Sequence, residues 1–323
     1  MSISRPVMRA VPPFDRLISP LFAVMILAGG ADAARADGDT KAAAPVPDPT
    51  PAASSTPAPS RERVLKLGYD AYVGGLNIFA FTVDFALGSE SYSILGKGES
   101  RGIARLFWRW STRLAAGGNL DAEGVRPQLY NVDTFSTRRN LSMQLSFDEN
   151  GKYTIRRTPP DTKHRAAKRN LPVVVPETSI DPLSISFRIA RDVANGRGCN
   201  GTHFIFDGNR RYNLIFSDLG VGKLPYTPYS VYSGAAHRCQ FDITRISGFR
   251  EPREYIRFWD EDNLDPPQIW LARVVPEMPP VPVRLEGDLN MGGLRIYLVW
   301  AEFAGAPVFP NGVKPDVRVA RSP

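Results

Sequence analysis

The sequence predicts a mainly β protein, a curved antiparallel sheet forming a β-roll or barrel-like domain with one internal helix. Three observations carry this. Short apolar–polar alternations recur along the chain, glycine-containing turns separate them, and a single segment has a helix start signal and an apolar stripe. Strand after strand with one helix excludes a doubly wound α/β plan and favours a sheet that curls on itself.

The strands are argued in order. Leu65, Leu67, Tyr69 and Ala71 alternate with more polar neighbours, and Gly74-Gly75 offers a hairpin turn. The return strand places Phe79, Phe81, Val83, Phe85 and Leu87 on one face, a period of two that suits a sheet buried on one side. Tyr92 and Ile94 begin the next strand. Asn150-Gly151 separates Leu141–Phe147 from Tyr153–Arg157, and Asp207-Gly208-Asn209 separates His203–Phe206 from Tyr212–Phe216. Later strands are expected at Tyr226–Tyr232, Gln240–Ile246, Ile256–Trp259, Gln268–Val275, Val281–Glu286 and Leu294–Phe303. The helix is expected over Pro182–Ala194. Asp181 can cap its first amides, and Pro182 suits the first position, where a missing N–H costs nothing. Leu183, Phe187, Ile189 and Ala190 form its stripe. A short helix or turn is expected over Ile103–Arg109.

The ends of the chain point to export. Arg5, Arg9 and Arg16 precede an uncharged apolar run, Leu17–Gly30, and Ala31-Asp32-Ala33 and Ala34-Arg35-Ala36 both fit a signal-peptidase site. The run is about 14 residues, short of the roughly 20 that span a bilayer. Residues 1–36 therefore read as a signal peptide. Residues 37–60, dominated by Ala, Pro, Ser, Thr and Asp, read as a disordered linker, because they cannot bury enough surface to offset their ordering. Residues 61–303 form the β-rich domain and 304–323 a tail. The expected location is the periplasm or the exterior, with membrane contact at most peripheral after cleavage. That location excludes nucleic acid as a partner. The net charge is +7, and removing residues 1–36 takes away four basic and two acidic residues, leaving about +5. A mildly basic surface is compatible with anionic envelope partners.

Asp181-Pro182-Leu183-Ser184, Phe206-Asp207-Gly208, Cys239–Ile246, Ile269-Trp270-Leu271, Pro282-Val283 and Leu285-Glu286-Gly287 together resemble the bacterial exported family catalogued as domain of unknown function 3108. The resemblance spans about Val64 to Val299. It implies a β-roll or barrel-like fold in the envelope and implies no catalytic residues. Where members usually carry an acidic residue after the tryptophan strand, this chain has Val274-Val275-Pro276.

Five residue groups could carry chemistry. Gly98-Glu99-Ser100-Arg101-Gly102 spells a hydrolase nucleophile elbow, with His203 and His237 downstream. Fewer than 40 folded residues precede Ser100, too few for the parallel strands such an elbow needs, so a turn between strands is expected. Cys199, His203, His237 and Cys239 have ligand atoms suited to zinc, but their spacings match no common knuckle. Two cysteines in an exported chain more simply form one disulfide, here Cys199–Cys239. The basic run that includes Lys163, Arg165, Lys168 and Arg169 could bind an anionic ligand or simply be a solvated loop. Asp260, Glu261, Asp262 and Asp265 lack the spacing of a helical calcium hand and read as a solvated turn. Phe107, Trp108 and Trp110 could line an apolar mouth, or pack in the core.

No catalytic set, cofactor or metal is expected. The reading is a non-enzymatic envelope protein that binds an apolar or amphipathic ligand, such as a lipid, or an envelope protein. The alternatives are a scaffold for a protein partner and a serine hydrolase using Ser100.

Overall fold

The computed structural model describes residues 63–121, 124–137, 140–159, 175–176, 178–249, 265–289 and 292–310. The strands are β1 (Arg63–Val73), β2 (Leu76–Leu87), β3 (Ser91–Ser100), β4 (Trp110–Leu120), β5 (Val125–Ser136), β6 (Asn140–Phe147), β7 (Tyr153–Thr158), β8 (Gly201–Phe206), β9 (Arg211–Leu224), β10 (Gly234–Ser247), β11 (Gln268–Ala272), β12 (Val281–Leu289), β13 (Gly292–Phe303) and β14 (Ala306–Val308). Helix α1 (Gly102–Phe107) sits between β3 and β4, and α2 (Pro182–Ala194) between β7 and β8.

Gly74 and Gly75 both take positive φ, 55° and 83°, which closes the β1–β2 hairpin with the twist that tight hairpins require. The expected alternation then holds: Leu65, Leu67, Tyr69 and Ala71 of β1 and Phe79, Phe81 and Phe85 of β2 are all buried. β3 adds Tyr92 and Ile94 to the same face. Gly68 is needed for a different reason. It pairs with Trp300 of β13, and a Cβ there would lie 1.9 Å from the Trp300 indole nitrogen.

All 14 strands belong to one sheet, ordered β7-β6-β5-β4-β3-β2-β1-β13-β12-β11-β10-β9-β8, with β14 paired to β13. Every strand pairing is antiparallel. The sheet is curled but not closed. Its two outer strands, β7 and β8, meet through side chains. Tyr153 and Phe206 pack edge to face at 4.8 Å, and the Arg157 guanidinium donates to the Gly208 carbonyl.

Helix α2 packs against buried residues of the sheet. Phe187 meets Phe85 and Tyr92, each at 4.9 Å between ring centres. Its start is built as expected, with Asp181 Oδ1 accepting from the amides of Leu183 at 2.9 Å and Ser184 at 3.0 Å. The four residues of its predicted stripe are buried.

Three expectations need correction. Tyr226–Tyr232 is not a strand. Pro225 and Pro228 remove two ladder donors, and the segment turns so that the Ser230 amide donates to the Thr227 carbonyl. Val274-Val275 lies beyond β11, in a turn leading to Pro276. The region read as a tail contributes β14, because Ala304 and Gly305 reverse the chain onto β13. The expected strand Ile256–Trp259 lies outside the described residues, as do residues 1–60.

Candidate functional site

Between α2 and the sheet is an apolar cleft of about 80 Å³. With about 10–15 Å³ holding one water-sized group, this is room for a short run of methylenes. Leu67, Phe81, Val83, Phe85 and Ile94 form its sheet wall, and Leu183, Phe187 and Ala190 its helix wall. Pro279–Pro282 close one side. The two polar side chains that line it are satisfied by backbone. Tyr69 donates its hydroxyl to the Pro282 carbonyl at 3.0 Å, and Ser186 donates to the Pro182 carbonyl at 3.3 Å. Burial raises the Tyr69 phenol far above its usual range, so the ring stays neutral. The cleft therefore presents hydrocarbon and no charge.

The sequence gives the phenylalanine face of this cleft but not its opposite wall. The pairing of α2 with β2 and β3 joins residues about a hundred positions apart, and no local signal encodes it. One polar contact orients the helix there, between the hydroxyls of Tyr92 and Ser184 at 2.6 Å. The Tyr92 phenol is also held neutral, by burial first and by the nearby Asp181.

The residues expected to form an apolar mouth are separated. Trp110 is buried and Trp108 half-buried. Their rings stack at 5.5 Å and meet Phe79 edge-on at 5.6 and 5.8 Å. Phe107 points outward and is 75 % exposed. None of the three lines the cleft. The strand that resumes at Trp110 carries that ring inward, while the turn of α1 carries Phe107 away from it.

Ser100 ends β3 as a strand residue, buried, with its Oγ accepting from the Trp110 amide at 3.2 Å. Of the histidines downstream, the two described ones, His203 and His237, are engaged elsewhere. His237 Nε2 lies 2.9 Å from Asp218 Oδ2, and the His203 ring packs on Phe216 at 6.0 Å. Burial lowers the His203 pKa, helped by Arg188. No nucleophile–base pair forms around Ser100 among the described residues.

Cys199 and Cys239 are bonded, with Cα atoms 6.1 Å apart, and tie the start of β8 to β10. His237 stands beside the bridge, while His203 does not join the group. Asp218 was not singled out from sequence. It accepts from the amides of Cys199 and Gly220 and from His237, and these bonds hold its carboxyl below the usual range although burial alone would raise it. With both sulfurs bonded to each other, the thiolates a metal would need are not present.

Lys163, Arg165, Lys168 and Arg169 lie outside the described residues, as do Asp260, Glu261 and Asp262. No described helix is long and apolar enough to cross a membrane.

The chain is similar to a crystal structure of a β-barrel-like protein of domain of unknown function DUF1849 from Brucella abortus. The two share 12 % identity, over 75 % of this chain and 98 % of that one, with a TM-score of 0.42. No curated protein matches. A family model does, that of a protein of unknown function, DUF3108, and it covers residues 68–299, from the middle of β1 to near the end of β13. The matched stretch includes α2, both cysteines and nearly all of the curled sheet, so this chain belongs to the DUF3108 family.

Proposed function

We propose that this protein is an exported, non-enzymatic binding module of the cell envelope that takes the apolar part of an amphipathic ligand into the cleft between α2 and the sheet. The observation that supports this is the cleft wall, apolar except for Tyr69 and Ser186, whose hydroxyls are already hydrogen-bonded to backbone. Such a wall favours hydrocarbon, at about 0.8 kcal/mol per CH₂ taken from water. A ligand headgroup would remain outside, and the basic run that includes Lys163, Arg165, Lys168 and Arg169, which lies outside the described residues, would supply charge of the sign that attracts an anionic one. Export rests on the leader of residues 1–36, and N-terminal sequencing of the envelope protein is expected to start near Asp37.

The test is native mass spectrometry of protein purified from its own envelope. A bound amphiphile is expected on the wild type. Ser186→Phe, which fills the cleft from the helix side, is expected to lose it while keeping the fold. Arg165→Glu/Lys168→Glu is expected to weaken retention in a salt-dependent way. A wild type that carries no amphiphile and takes up none when offered lipid refutes the reading, and a scaffold for a protein partner then replaces it.

A further inference from the structure

Helix α1 is turned outward, and none of its residues is buried. Ile103, Leu106 and Phe107 are 53, 82 and 75 % exposed. Apolar side chains held this far into solvent on so short an element mark a contact surface. Leu76, at the start of β2 and next in sequence to the Asn77 that Gly102 abuts, is also 58 % exposed.

The mounting of this helix is firm. The Arg101 amide donates to the Ile78 carbonyl at 2.9 Å just before the helix begins. Gly102 has φ +54°, and a Cβ on it would lie 2.6 Å from the Asn77 carbonyl oxygen, so a glycine lets the helix start hard against β2. At the other end, the stacked Trp108 and Trp110 anchor the chain on Phe79. The exposed tips are thus presented by a backbone fixed on both sides.

Next to the helix lies a second cavity, of about 270 Å³ and mixed character, in which Arg105, Arg109, Glu99 and the hydroxyls of Ser111, Ser136 and Thr137 line the wall together with Ser100, Trp110 and Phe135. Glu99 faces Arg101 at 3.4 Å, so that acid is already matched. Arg105 and Arg109 have no carboxylate partner among the described residues. Guanidinium groups beside hydroxyl donors are suited to phosphate oxygens.

We propose that α1 and this cavity dock the protein on an anionic phospholipid surface. Ile103, Leu106 and Phe107 enter the boundary between headgroups and acyl chains, and Arg105 and Arg109 meet the phosphates. The combination argues for a membrane as the occupant. Apolar tips rimmed by arginines match a surface that is apolar below and negatively charged at its rim, the arrangement of interfacial helices on anionic lipid. The site shares no residue with the apolar cleft, and it stands whether or not the cleft holds a ligand.

The experiment is vesicle co-sedimentation of the mature chain, comparing phosphatidylcholine alone with phosphatidylcholine containing a quarter phosphatidylglycerol. The wild type is expected to bind the anionic vesicles preferentially, and less as salt rises. Leu106→Ser/Phe107→Ser and Arg105→Glu/Arg109→Glu are each expected to weaken binding about tenfold or more. All four side chains are exposed, so both variants should keep the wild-type circular dichroism. The single change Leu106→Ser serves in place of a variant that unfolds. The proposal is overturned by a wild type that ignores anionic vesicles, by equal binding to phosphatidylcholine alone, or by variants that bind as the wild type does. Sedimentation velocity showing a dimer abolished by Leu106→Ser/Phe107→Ser would also overturn it, assigning the patch to a second copy of the chain.

Discussion

The ring of Tyr153 on β7 meets the ring of Phe206 on β8 edge to face, 4.8 Å apart, at opposite ends of the strand order. Two strands with no shared backbone ladder are thereby held together, and the open sheet becomes a roll. Arg157 adds a second tie from β7, donating to the Gly208 carbonyl and to Asn209 Oδ1. The Asp207–Arg210 ion pair, at 2.8 Å and buried, fixes the turn that receives it.

Truncating either ring should therefore loosen the seam. Phe206 is almost fully buried, so Phe206→Ala is expected to cost about 3–5 kcal/mol, and Tyr153→Ala less because Tyr153 is only half-buried. Their double-mutant cycle in urea should show a coupling of about 0.5–1.5 kcal/mol. A coupling of zero would mean that the rings do not hold the seam.

The cysteine bridge gives a second outcome. Its partners are 40 residues apart, and closing a loop of that length restricts the unfolded chain by roughly 4 kcal/mol in the chain-entropy estimate. Thiol alkylation without reductant should leave Cys199 and Cys239 unlabelled, and Cys199→Ser/Cys239→Ser should melt earlier. Two freely alkylated thiols with stoichiometric zinc would instead assign Cys199, His237 and Cys239 to a metal.

Asp181 gives a pH dependence with a defined sign. Complete burial raises its carboxyl to about 6, against the hydrogen bonds from Ser184 and Leu183 that favour its ionised form. Its Oδ2 has no hydrogen-bond partner among the described residues. In the unfolded chain the carboxyl titrates near ~3.9. Between those values the folded state keeps a proton that the unfolded state has released, so this group's contribution falls as pH rises from about 4 to about 6. The loss is on the order of 3 kcal/mol, complete above the folded value. Asp181→Asn keeps the capping acceptor without the titration, so it should gain on the wild type across that window. Asp181→Ala should lose about 1 kcal/mol of capping at every pH. Parallel pH profiles for wild type and Asp181→Asn would refute the assignment.

Ser100 is expected to matter for stability and not for covalent chemistry. Ser100→Ala removes a buried hydroxyl that accepts from the Trp110 amide, at a cost of about 1–3 kcal/mol. A fluorophosphonate probe should not label the folded wild type. Labelling that disappears in Ser100→Ala would restore the hydrolase reading.

Much of the fold was legible because it is written in short stretches. Helix α2 has the bounds that Asp181 and Pro182 announce, since capping and proline geometry act within one turn. The turns at Gly74-Gly75, Asn150-Gly151 and Asp207-Gly208 lie where glycine permits a positive φ, and the inner faces of β1 and β2 follow the period of two. Tyr226–Tyr232 misled because its tyrosines and valine suit a strand, while Pro225 and Pro228 deny it the ladder.

What the sequence determined by itself is thus the bounds of α2, most of the strands and their hairpin turns (though not β4, β5 or β14), the buried faces of β1 and β2, and the family to which the chain belongs. Only the tertiary structure decided that β13 lies beside β1, that α2 meets Phe85 and Tyr92, that Asp218 reaches His237 beside the cysteine bridge, and that Phe107 faces out while Trp110 faces in. The physical reason is range. Hydrogen bonding and backbone preference are set by neighbours within a few residues, whereas these contacts join residues far apart in the chain, or turn on a non-repeating bend, and form only when the whole sheet curls to bury its apolar face.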